Sequence, residues 1–183
     1  MQQKILLRKK YSFLRKKKYY NIDKKFFLPL LKLINKKKRN FFFKLALYYP
    51  CNFEINVLKV LEHNNISSQD ILLPVTEKRS HMNFFSWRKN DVLLVNKFGI
   101  LEPVKTRAKV PDFMLVPILA FDKNKFRLGY GKGFYDRYLS KYLKRYKNIL
   151  TIGVAFSFQK YHKLPVNKDD VKLDFILTEK GIF

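Results

Sequence analysis

Cysteine occurs once in this chain of 183 residues, at Cys51. A lone thiol excludes an internal disulfide framework and a cysteine-based zinc site, and it suits a reducing cytoplasm, the expected location. Long apolar runs are also missing. None reaches the ~18 residues that a membrane-spanning helix needs, so no membrane association is expected. The opening stretch MQQKILLRKKYSFLRKKKYY holds too short an apolar run for a secretory signal. It is acid-poor, as organelle transit peptides are, but Lys-rich and Ser-poor. Acids are scarce throughout: 14 Asp+Glu stand against 39 Lys+Arg, for a formal net charge of +25. Glycine is scarcer still, with 6 residues, yet Gly129, Gly131 and Gly133 fall within five positions.

Hydrophobic residues make up 47% of the chain and aromatics 16%. That excludes disorder as the main description, and the length suits one domain spanning residues 1–183. The charge is uneven. Residues 1–50 hold 16 of the basic residues and a single acid, Asp23. An excess of this size fits a small basic RNA- or ribosome-binding protein. It equally fits a compositional drift toward Lys, Asn, Phe and Ile that runs through the whole chain, in which case no specific nucleic-acid partner is expected.

Apolar residues recur at three and four positions through Leu7, Tyr11 and Leu14, and again through Phe26, Phe27, Leu30, Leu31 and Ile34. This predicts basic amphipathic helices near 3–20 and 23–38. The run 41–50 reads as a buried strand ending at Pro50, 55–65 as a helix and 70–75 as a strand. Residues 81–103 lack a clean period and read as short extended pieces and loops. The unbroken apolar run 112–122 reads as a strand covered on both faces. A helical stripe follows through Phe134, Tyr138, Leu139, Tyr142, Leu143 and Tyr146, and then strands at 148–156 and 174–178. Alternating strands and helices predict an α/β fold: a single three-layer domain with a mostly parallel sheet flanked by helices.

The glycines lie between a predicted strand and a predicted helix, in RLGYGKGFYDR (127–137). Such a turn lets backbone N–H groups approach an anion at the helix start. The spacing matches neither the P-loop nor the dinucleotide fingerprint, and a plain tight turn fits the glycines alone. Asp136 points further. A carboxylate one turn into a phosphate-binding helix would repel the ligand unless a magnesium ion lies between them. As a bare acid, it would merely stabilise the helix start. Arg127 and Arg137 flank the loop and Lys132 lies within it, which suits a nucleoside triphosphate with its metal.

The stretch VPILAFDKNKFRLGYGKGFYDRYL (116–139) resembles the signature of 5-formyltetrahydrofolate cyclo-ligases. The family pattern is VP-x-x-AFD, a short turn, then RLG-x-G-x-GYYDR-x-L. Phe134 stands where tyrosine is usual, Lys132 where a small residue is usual, and Asp169 where histidine is frequent. Weaker marks follow in the family's order: KILLR (4–8), EIN (54–56), LPV (73–75), GILEP (99–103) and DVKLDFILT (170–178). Together they span nearly the whole chain.

The resemblance implies ATP-dependent closure of 5-formyltetrahydrofolate to 5,10-methenyltetrahydrofolate by a monomer. ATP would be the co-substrate and Mg2+ the metal. It implies ATP contacts at Lys4, Arg8, Arg127, Gly129, Tyr130, Gly131, Lys132, Gly133, Phe134 and Tyr135. It implies folate contacts at Tyr49 and Glu54, with Glu102 and Trp87 as further candidates, and magnesium at Asp136 and Asp174. Each has a plainer reading. Lys4 and Arg8 suit a solvated basic face, Arg127 a surface charge, Glu54 a helix-start acid, Trp87 the core and Asp174 a strand start. An inactive homologue would carry the same marks.

Overall fold

The structure, a computed structural model, describes residues 2–38, 41–67, 69–146 and 148–183. Helix α1 (Gln2–Lys18) places Leu7, Tyr11 and Arg15 on one buried stripe at intervals of four. Asp23 then accepts from the Lys25 N–H at 2.8 Å and starts a 3-10 turn over Lys24–Phe27. Helix α2 (Leu28–Lys37) follows, with Pro29 in its first turn and Leu30 and Ile34 buried. Strand β1 is Lys44–Ala46, shorter than the apolar run suggests.

The helix expected at 55–65 is mostly a 3-10 run, Val57–Glu62, capped by Asn56. Val57 and Val60 are both fully buried, and a spacing of three is the period of a 3-10 turn. A short α3 (Asn64–Ser67) completes it. Strand β2 (Asp70–Thr76) runs into β3 (Met82–Ser86), and two short strands, β4 (Leu93–Val95) and β5 (Leu101–Pro103), make a separate hairpin.

Residues 112–122 differ most from expectation. They form β6 (Phe113–Pro117), a break, and then β7 (Ala120–Phe121), which pairs antiparallel with β8 (Arg127–Leu128). The break leaves the carbonyls of Ile118 and Leu119 off the sheet. The buried Gln159 side chain donates to both at 2.9 Å, while its own oxygen accepts from the Phe156 N–H. Asp122 closes the β7–β8 turn by accepting from the N–H groups of Asn124 and Phe126.

Helix α4 (Phe134–Arg145), β9 (Leu150–Val154), β10 (Phe175–Thr178) and β11 (Gly181–Ile182) complete the chain. The sheet order is β11-β10-β9-β6-β1-β2-β3, with the five inner strands parallel and both edge strands antiparallel. One face packs Leu45, Leu73, Leu115 and Ile152 against α2 residues Leu30 and Ile34. The other packs Ala46, Leu72, Met114 and Val116 against Tyr138 and Leu139 of α4. The expected three layers are present, and burial on both faces explains the unbroken apolar sequence of β6.

From β1 the chain steps to β2 on one side, while β6 pairs on the other. This is a topological switch point, and ligands of open α/β sheets collect at the strand ends there.

The Gln159 side chain sets one stability test. Gln159→Leu keeps the volume but strips donors from two buried carbonyls, which is expected to cost about 2–4 kcal/mol. Urea unfolding measures it, and an unchanged midpoint would show that the break does not depend on this side chain.

Candidate functional site

A cavity of about 1170 Å³ opens at the switch point, between the segments that leave β1 and β6, the glycine loop and α4. Gly131 and Gly133 adopt φ of 94° and 69°, the left-handed region that L side chains resist. Added Cβ atoms there would lie 3.1 Å from the Arg8 guanidinium and 3.0 Å from that of Arg137. Gly129 has neither constraint, but its carbonyl accepts from Arg8 Nε at 2.9 Å.

The basic end of the cavity draws on several elements. Lys4 and Arg8, one turn apart on α1, both reach it. Lys4 Nζ lies 2.5 Å from Asp170 Oδ2, which also accepts from the Asn167 N–H. Lys132 sits 6.0 Å from the centroid of Phe98 at the β4–β5 turn, and Phe98 meets Phe134 edge-on. Arg137 donates to the carbonyls of Lys132 and Ser80.

Arg127 is held more tightly than a phosphate-contacting side chain needs to be. It lies 2.7 Å from Asp136 Oδ1 and donates to the Val171 carbonyl at 3.0 Å. Asp136 also accepts from the Val171 N–H, again at Oδ1.

The other end is acidic and aromatic. Tyr49 and Glu54 line it. Glu54 is buried; its Oε2 accepts from the Cys51 N–H at 2.9 Å and its Oε1 from the Tyr130 hydroxyl. Burial pushes the Glu54 carboxyl above the usual range, and the hydrogen bonds from Tyr130 and the Cys51 backbone oppose the rise. Burial and the Glu54 charge push the Cys51 thiol up to about 12, so it is no nucleophile at neutral pH. Tyr135 lines the wall with a buried hydroxyl that has no partner among the described residues. Burial and Glu54 keep that phenol protonated, ready to donate. Glu102 also lines the cavity, but Thr76 and Asn96 already donate to its Oε1.

Two candidates lie elsewhere. Trp87 packs in the core on the α2 face of the sheet. Asp174 is off the cavity wall; its Oδ2 accepts from Thr151 N–H and Oγ1 at 2.8 and 2.7 Å, tying β9 to the start of β10. Tyr130 belongs to the glycine loop, yet its side chain turns toward Glu54.

Arg15 was not among the sequence candidates. It is 1% exposed and donates to Tyr130 Oη at 2.5 Å and to the Asn52 carbonyl at 2.6 Å. Its signal was its place on the Leu7–Tyr11 stripe, a charge where an apolar residue was due. Lys141, Lys144 and Asn167 also line the cavity, without a sequence signal beyond their charge or polarity, and so does Asp170, which opens the DVKLDFILT mark.

Residues 12–179 match the model of the 5-formyltetrahydrofolate cyclo-ligase family. The chain is 30% identical to the 5-formyltetrahydrofolate cyclo-ligase of Haemophilus influenzae over 73% of its own length and 74% of that protein. It is 34% identical to the protein of that name from Mycoplasma genitalium, over 73% and 70%. Among solved structures, the 5,10-methenyltetrahydrofolate synthetase of Aquifex aeolicus superposes with a TM-score of 0.73 at 31% identity, covering 98% of this chain and 91% of that one. The corresponding synthetase of Mycoplasma pneumoniae gives 0.69 at 26%, covering 95% and 97%. The fold, the cavity and these likenesses together make the chain a member of the 5-formyltetrahydrofolate cyclo-ligase family of ligases.

Proposed function

We propose that the protein closes 5-formyltetrahydrofolate to 5,10-methenyltetrahydrofolate, consuming ATP and releasing ADP and phosphate. The observation that carries this reading is the continuity of two chemistries in one cavity. The glycine loop, Lys4, Arg8 and Lys132 suit a triphosphate, while Tyr49, Glu54 and Tyr135 suit a pterin. A volume of about 1170 Å³ accommodates both ligands.

The chemistry accounts for the need to hold them together. The formyl oxygen is a poor leaving group. It attacks the γ-phosphorus, an O–P bond forms, the β–γ bridging bond breaks and ADP departs. N10 then attacks the formyl carbon, the C–O bond breaks, phosphate leaves and N10 gives up its proton. Positioning and charge stabilisation carry most of such a transfer. Loop N–H groups with Lys4, Arg8 and Lys132 offset the triphosphate charge. The Glu54 carboxylate accepts from the N–H donors of the pterin edge, and the Tyr135 hydroxyl donates within the same wall.

The residues fit a magnesium ion in part. Mg2+ takes one or two carboxylates and completes its shell with phosphates and water. Asp136 faces the cavity with both of its bonds at Oδ1, so Asp136 is the residue to hold the ion. Asp174, committed to Thr151, is not. No group of three acidic, His or Cys side chains suited to a metal occurs among the described residues. A bound magnesium would supply charge neutralisation of the triphosphate.

The direct test mixes purified protein, 5-formyltetrahydrofolate, ATP and magnesium and follows the near-ultraviolet absorbance of the methenyl product. Growth that needs both ATP and magnesium is expected. Folded protein giving no more product than a no-enzyme control would reject the reading in favour of an inactive homologue.

Asp136→Asn removes both the candidate metal ligand and the charge paired with Arg127, and the response to excess magnesium separates the two roles. The rate is expected to fall on the order of 100-fold, with part recovered by excess magnesium. A loss confined to melting temperature, with normal rate and magnesium dependence, would leave Asp136 only its pairing to Arg127.

A further inference from the structure

Arg15 is a buried guanidinium that makes no ion pair among the described residues. Its Nε has no hydrogen-bond partner among them either, and it contacts no carboxylate. A buried charge is costly unless something compensates it, and α1 could place an apolar residue at this point of its stripe. Arg15 donates instead to the Asn52 carbonyl at 2.6 Å, more weakly to the Ile118 carbonyl at 3.4 Å, and to the one side chain it bonds, Tyr130. Its guanidinium lies 5.5 Å from the centre of the Tyr130 ring, and Nη2 donates to the phenol oxygen at 2.5 Å.

The direction of this bond constrains the next one. Arginine has donors and no acceptor, so Tyr130 Oη must accept from it. The single phenol proton is then free to point elsewhere, and it goes to Glu54 Oε1. The second oxygen, Oε2, already accepts from the Cys51 N–H. Both Glu54 oxygens are therefore acceptors, the pattern of a carboxylate.

We infer that Arg15 is a positioning residue for the pterin end of the cavity: its donation to Tyr130 orients Tyr130 as a donor to Glu54, and so keeps Glu54 an acceptor toward the ligand. An acceptor there selects a ligand edge rich in N–H donors, such as the amino-pyrimidinone edge of a pterin, over one presenting lone pairs. The choice of ligand rests on the cyclo-ligase reading; the polarity of the relay does not.

The surroundings make such a device useful. Glu54 faces Arg15 from α1, Tyr48 and Cys51 from the segment after β1, Tyr130 from the glycine loop and Tyr135 from α4. Arg15 alone among them carries a positive charge. Burial works against the Glu54 carboxylate, and Tyr130, the Cys51 N–H and the Arg15 charge work for it. Removing Arg15 or the Tyr130 hydroxyl raises the Glu54 carboxyl further. The acceptor form is then lost at a higher pH than in the unaltered protein and returns as pH rises through the new value.

The test uses Arg15→Leu and Tyr130→Phe. Tyr130→Phe keeps the ring and the glycine-loop backbone, so it decides the matter if Arg15→Leu does not fold. A ligand-free readout comes first: carbon-13 NMR titration of the Glu54 carboxyl, assigned with Glu54→Gln. Each folded variant is expected to titrate at higher pH than the unaltered protein, and an unchanged titration overturns the relay. In the cyclisation assay, run between the titration points found for the unaltered protein and the variant, the KM for the folate is expected to rise about tenfold, as for loss of a hydrogen bond to a charged group. The deficit should shrink as pH is raised, with the KM for ATP unchanged. A KM for the folate that stays the same, or rises equally at every pH, overturns it too. If the unaltered protein makes no product, the cyclo-ligase reading fails and the titration still decides the relay.

Discussion

The ion pair between Arg127 and Asp136 brackets the glycine loop. Arg127 is the first residue of β8 and Asp136 lies in the first turn of α4, with Gly129–Gly133 between them. Closing the two ends at 2.7 Å forces the intervening residues into a tight excursion, which Gly131 and Gly133 accommodate with positive φ. Both partners also bond to the backbone of Val171, so the pair fixes the 167–174 segment as well. That segment carries Asp170, the partner of Lys4. Removing one member of such a pair leaves its partner largely buried and uncompensated, so the loop, the end of α1 and the late segment are placed by one contact. Asp136 thus has an architectural duty beside any metal it holds.

The cavity arises from a second constraint, the departure of the chain from the sheet after Pro117. A longer β6 would carry residues 118–122 onward as strand and would abolish the β7–β8 hairpin that delivers Arg127 and the glycine loop. Gln159 makes the departure tolerable by satisfying the Ile118 and Leu119 carbonyls, and Arg15 adds a weaker contact to the first at 3.4 Å. Arg15 therefore touches both halves of the site, the break that shapes the wall and the Tyr130 hydroxyl that faces Glu54. The phosphate-type end depends on backbone geometry and the pterin-type end on side-chain polarity, and the two meet at Tyr130.

The parallel core, α1, α2 and α4 were legible because burial of a helix stripe or of both strand faces leaves a local period in the sequence. The glycine segment was legible because its residue types are scarce elsewhere in the chain. What escaped was long-range. The carbonyls that Gln159 serves lie about forty residues away and the partners of Arg15 up to 115 away, and neither set leaves a pattern nearby. The break in 112–122 was hidden for the same reason, since every residue from 113 to 121 is apolar. Asp174 shows the limit of ordered marks: it lies in the last of them, and the fold commits it to Thr151. Trp87, a candidate outside those marks, goes to the core. The basic excess was legible as a number only, and local composition does not tell cavity lysines from those of the outer face of α1.

The central claim is that the two ends of the cavity bring the formyl oxygen to the γ-phosphate. Transfer of oxygen-18 from labelled formyl oxygen tests it most directly. The expected result is one labelled oxygen in the released inorganic phosphate for each methenyl product formed. Label found in bulk water, with unlabelled phosphate released, would mean that the formyl oxygen is never phosphorylated, and would contradict the account.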